Sequence, residues 1–215
     1  MRSKTQPSRR EFSFIEQARR QQIIEAVIAG VAEEGYAGAS IAKVAQRAKI
    51  SKSVVLYYFE GKDELIETAV HQIYHEIWDV LRPRLAAETT ARGQLRVYIE
   101  AEFAFLEKHR PRLLTISAIL NNHRDEDGAL YLREEAEQAN LKTLGGMLEQ
   151  GQRNGEFRSF AVRPMAATLM HAINGALGQW AADPNLSLSE YAQEIVTIFD
   201  LATQRQPPGK PVRRG

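Results

Sequence analysis

Residues 40–65 decide the fold: Ser40-Ile-Ala-Lys-Val-Ala-Gln-Arg-Ala-Lys-Ile-Ser-Lys-Ser-Val-Val-Leu-Tyr-Tyr-Phe59, then Glu-Gly-Lys-Asp-Glu-Leu65. Ser40 and Ser51 are good helix N-caps, because a serine hydroxyl can accept from the free backbone N–H groups of a first turn. They open two short helices, separated by a turn at Ala48 to Ile50. Ile41, Val44, Ala45, Ile50, Val55 and Phe59 face one shared core, while Lys52, Ser53 and Tyr57 face away from it. Two short helices joined in this way form a helix-turn-helix, whose second helix suits the DNA major groove. Gly61 interrupts the pattern, and Asp63 and Glu64 sit at the positive end of the next helix.

Working outward, Ser13 and Glu16 have capping-box spacing, so a helix is expected from Phe14 to Gly35. Ile15, Ala18, Ile23, Ala26, Val27, Gly30 and Val31 form its apolar face. Downstream, helical spacing predicts six further helices. They span Lys62 to about Leu81 (closed by Pro83), Ala91 to Lys108, Pro111 to near Asn121, the polar link's end at Gly128 to Asn154, Arg163 to Ala182, and Ser187 to about Gln204. The expected fold is all-α, with about nine helices and no strand. The expected division is a flexible basic arm (1–12), a helix-turn-helix domain (13–61), a helical sensing and dimerisation domain (62–204) and a disordered tail (205–215).

Charge is unevenly distributed. The net charge is +1, yet residues 1–62 carry 11 Lys and Arg against 6 Asp and Glu, while residues 63–204 carry 13 against 21. A basic N-terminal module beside an acidic body fits a local polyanion contact. Arg9 and Arg10 of the arm are candidates for a minor groove. The absence of cysteine excludes disulfides, thiolate metal sites and thiol nucleophiles, and fits a reducing cytoplasm. No apolar run is long enough for a membrane span.

In combination, Gly35-Tyr36, Ser40-Ile41, Val44-Ala45, Ile50-Ser51-Lys52, Tyr58-Phe59 and Lys62-Asp63-Glu64-Leu65 resemble the TetR family of bacterial transcription regulators. The resemblance covers about 50 residues. It implies a homodimer whose third helices enter successive major grooves of a palindromic double-stranded operator, and a small molecule in the body that alters their spacing. It assigns phosphate contact to Ser40, Ile41 and Lys62, further DNA contacts to Ala42 and Lys43, and the recognition face to Lys52, Ser53, Val54, Tyr57 and Tyr58. Two positions depart from the family pattern: Lys49 stands where a turn glycine is usual, and Leu56 where a phosphate-contacting tyrosine is usual.

The last two predicted helices carry small residues (Ala172, Gly175, Ala176, Gly178) and an apolar face (Leu188, Ala192, Ile195, Phe199), which suit a dimer interface. Candidate lining residues for an effector pocket are Trp78, Phe103, Leu106, Ile116, Leu120, Met147, His171 and Asn174, and they favour a largely apolar ligand. His71 and His75 have the i, i+4 spacing of a metal pair with Glu67 a turn earlier, but a polar helix face explains them equally. With no phosphate loop, nucleophile elbow or cysteine, an enzyme is not expected, nor is a cofactor or a resident metal. Glu100 and Glu102 read as solvated helix charges. The function expected is a ligand-released repressor. The alternatives are control by a protein partner without a small ligand, or activation of transcription.

Overall fold

The computed structural model describes residues 13–205. The expected arm, with Arg9 and Arg10, and residues 206–215 of the expected tail lie outside the described residues. The helices are α1 (Phe14–Glu34), α2 (Ile41–Arg47), α3 (Lys52–Tyr58), α4 (Lys62–Ala87), α5 (Ala91–Lys108), α6 (Arg110–Asn122), α7 (Tyr131–Arg153), α8 (Val162–Ala182) and α9 (Leu188–Thr203), with a 3₁₀ turn at Gly35–Ala39 between α1 and α2. Among the described residues there is no strand, and a lone antiparallel bridge joins Phe157 to Gln204.

The helix starts follow their caps. At Ser13 the box is complete: the hydroxyl accepts from Glu16 N, and the Glu16 carboxylate accepts from Ser13 N at 2.8 Å. Ser40 and Ser51 each accept from the third residue of their helices at 3.3 Å. Gly35 ends α1 with φ 67°, a left-handed conformation that a side chain would disfavour. One expected boundary moves. Pro83 does not close α4 but sits inside it, and the helix runs on to Ala87. Proline removes one backbone donor. The carbonyl that loses its partner is that of Asp79, an exposed residue, so it lies open to water.

Helices α1–α3 form a small head around Ile23, Val27, Val31, Val44, Val55 and Phe59, each at most 1% exposed. The Arg20 guanidinium lies 4.1 Å from the centre of the Phe59 ring and donates to Tyr58 O and Glu64, which ties α1 to the end of α3 and to α4. The 3₁₀ turn crosses α1 so closely that a Cβ on Gly38 would lie 2.1 Å from Gly30 O. Only glycine fits that crossing.

The body is built from α4–α9. Helix α9 packs on α5 and α8, and α8 also packs on α7. Helix α6 runs between head and body. Its buried Thr115 donates to Ile28 O of α1 at 2.9 Å. Its Arg112 donates to Glu25 of α1 at 2.8 Å and to Glu76 of α4 at 2.9 Å. Burial pushes the Glu76 carboxyl up, but the hydrogen bonds from Arg112 and Gln72 hold it below its ordinary value.

Candidate DNA-binding surface and effector cavity

The outward surface of α2 and α3 carries the predicted DNA residues. Ala42, Lys43, Lys52, Ser53 and Tyr57 are exposed; Ser40, Ile41, Val54, Tyr58 and Lys62 are half-buried. Several are held by neighbours. Lys43 Nζ pairs with Glu34 at 2.6 Å, and that hydrogen bond is the main reason the Glu34 carboxyl lies below its usual range. The Ser53 and Ser51 hydroxyls are 2.8 Å apart, and the Tyr57 hydroxyl donates to Glu16 at 3.2 Å. Tyr57 and Tyr58 meet edge to face at 5.0 Å. Lys62 Nζ stands 4.1 Å from the centre of the Tyr36 ring, a cation–π contact at the first residue of α4.

Both departures from the family pattern have structural consequences. Lys49 adopts φ 54°, the one positive φ at a non-glycine residue among those described, so the turn keeps a glycine-like backbone under a lysine side chain. Leu56 is 51% exposed beside Tyr57, an apolar group on the surface read as facing DNA.

A hydrogen-bonded chain links this head to the body. Tyr36 Oη lies 2.9 Å from His123 Nδ1, and His123 Nε2 lies 3.0 Å from Tyr131 Oη. The Tyr131 hydroxyl donates to Glu67. That last bond fixes the order of the rest. Tyr131 Oη accepts from His123 Nε2–H, which leaves Nδ1 to accept from the Tyr36 hydroxyl. His123 is 2% exposed; burial pushes its imidazole below the usual histidine range, against the pull of Asp63 and Glu67. From sequence, Tyr36 figures only in the family motif and Glu67 only beside His71, and nothing singles out His123 or Tyr131. None of the four falls on the recognition helix, and their meeting depends on the link between α6 and α7.

In the body, five helices enclose a cavity of about 300 Å³. Tyr74 and Ile77 of α4, Leu106 of α5, Ile116 and Leu120 of α6, and Leu177 of α8 supply much of its wall. Asn121, Asn140, Asn174 and Ser117 add neutral polar groups, and Arg133 and Glu137, paired at 2.9 Å, lie in the same wall. A second hollow of about 260 Å³ shares Tyr74, Ala136 and Asn140 with it and is bordered by Trp78 and His71.

Of the expected lining residues, Leu106, Ile116, Leu120 and Asn174 border the cavity and Trp78 the second hollow. Three do not. Phe103 is buried in the core at 2% exposure, Met147 packs against that core, and His171 is exposed, on the face of Asn174 and Gly178 but a turn short of the cavity. Helical spacing gives the face of α8 correctly, but not how far along the helix the cavity extends. His75 Nδ1 pairs with Asp79 at 3.0 Å, and no three potential metal ligands come together among the described residues.

Glu102 is the residue most misjudged from sequence. It lines the cavity, and its Oε2 is shut off from solvent with no hydrogen-bond partner. Burial pushes its carboxyl up to about 7, opposed by a hydrogen bond with Tyr98. Burial, reinforced by the Glu102 charge, raises the Tyr74 and Tyr98 hydroxyls in turn. The sequence signal was present: Leu95, Tyr98, Ile99, Glu102, Phe105 and Leu106 fall at helical spacing on one face.

Known proteins resemble this chain in both parts. Residues 23–69 match the family described as "Bacterial regulatory proteins, tetR family". Over 86 residues the chain is 40% identical to the HTH-type transcriptional regulator BetI of Paraburkholderia phytofirmans, covering 40% of this chain and 44% of that protein. Over 100 residues it is 35% identical to BetI of Paraburkholderia phymatum, covering 46% and 51%. The chain therefore spans about half the length of the relatives it matches. In structure it is similar to the fatty acid degradation regulator FadR of Bacillus halodurans (TM-score 0.73, 19% identity, 84% of this chain and 97% of that one). It is also similar to FadR of Bacillus subtilis in complex with stearoyl-CoA (TM-score 0.73, 21% identity, 83% and 96%). At such identity these likenesses establish the fold. Residues 23–69 are thus a DNA-binding head of the tetR type, and the body on which they sit has the fold of these solved regulators.

Proposed function

We propose that this chain is a cytoplasmic, ligand-responsive transcriptional repressor, with 13–61 as its DNA-reading unit and 62–204 as its sensing and dimerisation unit. Two copies pair through α8 and α9 and set their α3 helices in successive major grooves of a palindromic operator. Lys52, Ser53 and Tyr57 read the groove. Ser40, Lys43 and Lys62 meet phosphate, with Lys43 exchanging Glu34 for the DNA backbone. Ile198 and Leu201, 55% and 65% exposed on α9, supply apolar area for the dimer.

One observation carries the ligand response: the cavity wall and the joint to the head use the same helix ends. Asn121 lines the cavity two residues before His123, and Arg133 lines it two residues after Tyr131. A ligand that spreads α6 from α7 therefore strains the link to Tyr36. Binding shifts the dimer toward the conformer with mis-spaced recognition helices in proportion to its preference for that conformer. The cavity favours this over control by a protein partner, and the FadR of Bacillus subtilis solved with stearoyl-CoA supports a small-molecule effector for the fold.

The test is operator binding followed by fluorescence anisotropy, with an operator selected from a random duplex pool. Lys52→Ala and Tyr57→Ala are each expected to weaken specific binding by roughly tenfold, on the order of the 1–3 kcal/mol carried by a good base contact. Unchanged binding by both variants overturns the assigned face. A monomer at micromolar concentration overturns the paired reading.

A further inference from the structure

The cavity holds an acid without a counter-ion. Glu102 Oε2 is closed to water and has no partner. A buried polar oxygen left in this way carries its full desolvation cost, and a charge in that position more still. The other carboxylate of the wall, Glu137, is already matched by Arg133 at 2.9 Å. The remaining polar wall groups, Ser117, Asn121, Asn140 and Asn174, are neutral. The wall as a whole therefore carries one unmatched acid, Glu102.

Around that point the cavity is apolar and aromatic. Tyr74 supplies a ring, and Ile77, Leu106, Ile116 and Leu177 supply hydrocarbon. A volume of about 300 Å³ suits a small organic molecule. A neutral ligand would fill the space and leave the acid unmatched. An anionic ligand would add a like charge against it. A protonated amine on an apolar body answers both features: the ammonium pairs with the Glu102 carboxylate in a charge-assisted contact, and the body displaces water from the hydrocarbon wall.

We propose that the effector class of this cavity is an organic cation, an amine carried on a small apolar or aromatic body, with Glu102 as its counter-ion. This rests on the cavity being the effector site. Burial raises the Glu102 carboxyl, and a cation beside it would favour the charged form again. Folding has already covered the cost of desolvating that group, so the site is organised for a cation before one arrives.

Three probes of one shape test the claim: 4-phenylbutylamine, 4-phenylbutanol and 4-phenylbutanoate, titrated calorimetrically into the full chain at pH 7.5. The amine should bind about tenfold or more tighter than the alcohol, as expected for one added charge-assisted contact, and the carboxylate should bind weakest. Glu102→Gln should bring the amine down to the level of the alcohol while leaving the alcohol within about twofold, a difference of under 0.5 kcal/mol. Equal binding of the three probes, no binding of any, or an amine preference that survives Glu102→Gln overturns the proposal. The ranking on the unaltered protein stands as a test even if the variant does not fold. Operator binding by the same preparation without probe separates the two readings. Intact operator binding with no amine preference rejects the cation and leaves the regulator. Lost operator binding rejects the regulator, whatever the probes do.

Discussion

In the head, Lys52, Ser53 and Tyr57 stand outward on a helix of seven residues, whereas in the body Glu102 and Tyr74 face a space that five helices must enclose together. The head needs little to display its groups. Helix α3 buries a single residue, Val55, and is oriented by its serine cap and the turn before it. The body needs long helices in register, because a cavity exists only where several surfaces fail to meet. The two regions should therefore break differently: the head through its backbone, the body through its charges.

The sharpest way to break the comparison is Gly38→Ala. The new Cβ would meet Gly30 O at 2.1 Å, and backbone cannot move aside as a side chain can. A loss of about 3 kcal/mol, at the upper end for overpacking, is expected in the head. Operator binding should fail while probe binding in the cavity persists. If both are lost together, head and body unfold as one unit and the contrast drawn above is wrong.

Next in size is the pH dependence of the body. Glu102 ionises near 7 in the folded chain against an ordinary value of 4.5, so its contribution is fully present below about 4.5 and is lost as pH rises through about 7. Without ligand, Glu102 should therefore make the protein less stable at pH 8 than at pH 5 by on the order of 1–3 kcal/mol. Glu102→Gln should remove that part of the slope in chemical denaturation. An unchanged slope would mean that Glu102 is better solvated than its surroundings indicate.

Smaller effects sharpen the view of the head. Ser51→Ala removes the cap of α3 and should cost about 1 kcal/mol in urea denaturation, with operator affinity falling in step. Lys49→Gly should act in the other direction. It relieves a left-handed backbone at φ 54° and should stabilise the head by roughly 0.5–1 kcal/mol. No gain in melting temperature would show that the lysine is held there by a compensating contact.

The same contrast governs what could be read from the chain before its structure. Caps and turns act over three or four residues, so Ser13, Ser40, Ser51, Gly35 and the unusual Lys49 were all legible. Leu106, Ile116, Leu120 and Asn174 were placed at the cavity by apolar spacing on their own helices. His171 shares the face of Asn174 and Gly178 but lies beyond the cavity's end, and periodicity fixes a face without fixing where along it a cavity stops. Glu102 looks solvated because charges on helices commonly are, although it lies within an apolar stripe. A proline commonly ends a helix, yet where the carbonyl four residues back is open to water the lost donor at Pro83 is tolerable. Tyr36, His123, Tyr131 and Glu67 lie far apart in the chain, and no local pattern could join them.

The chain of hydrogen bonds through His123 also has a polarity. Every link points the same way, from Tyr36 through the imidazole and Tyr131 to Glu67, so His123 and Tyr131 each accept on one side and donate on the other. A chain of this kind has no half-way arrangement: turning one group around leaves two donors or two acceptors facing each other at the next link. The joint between head and body thus behaves as a latch with an engaged and a released position rather than as a spring. A sensor built on it would answer its effector by switching, at the moment the first of the three bonds is lost.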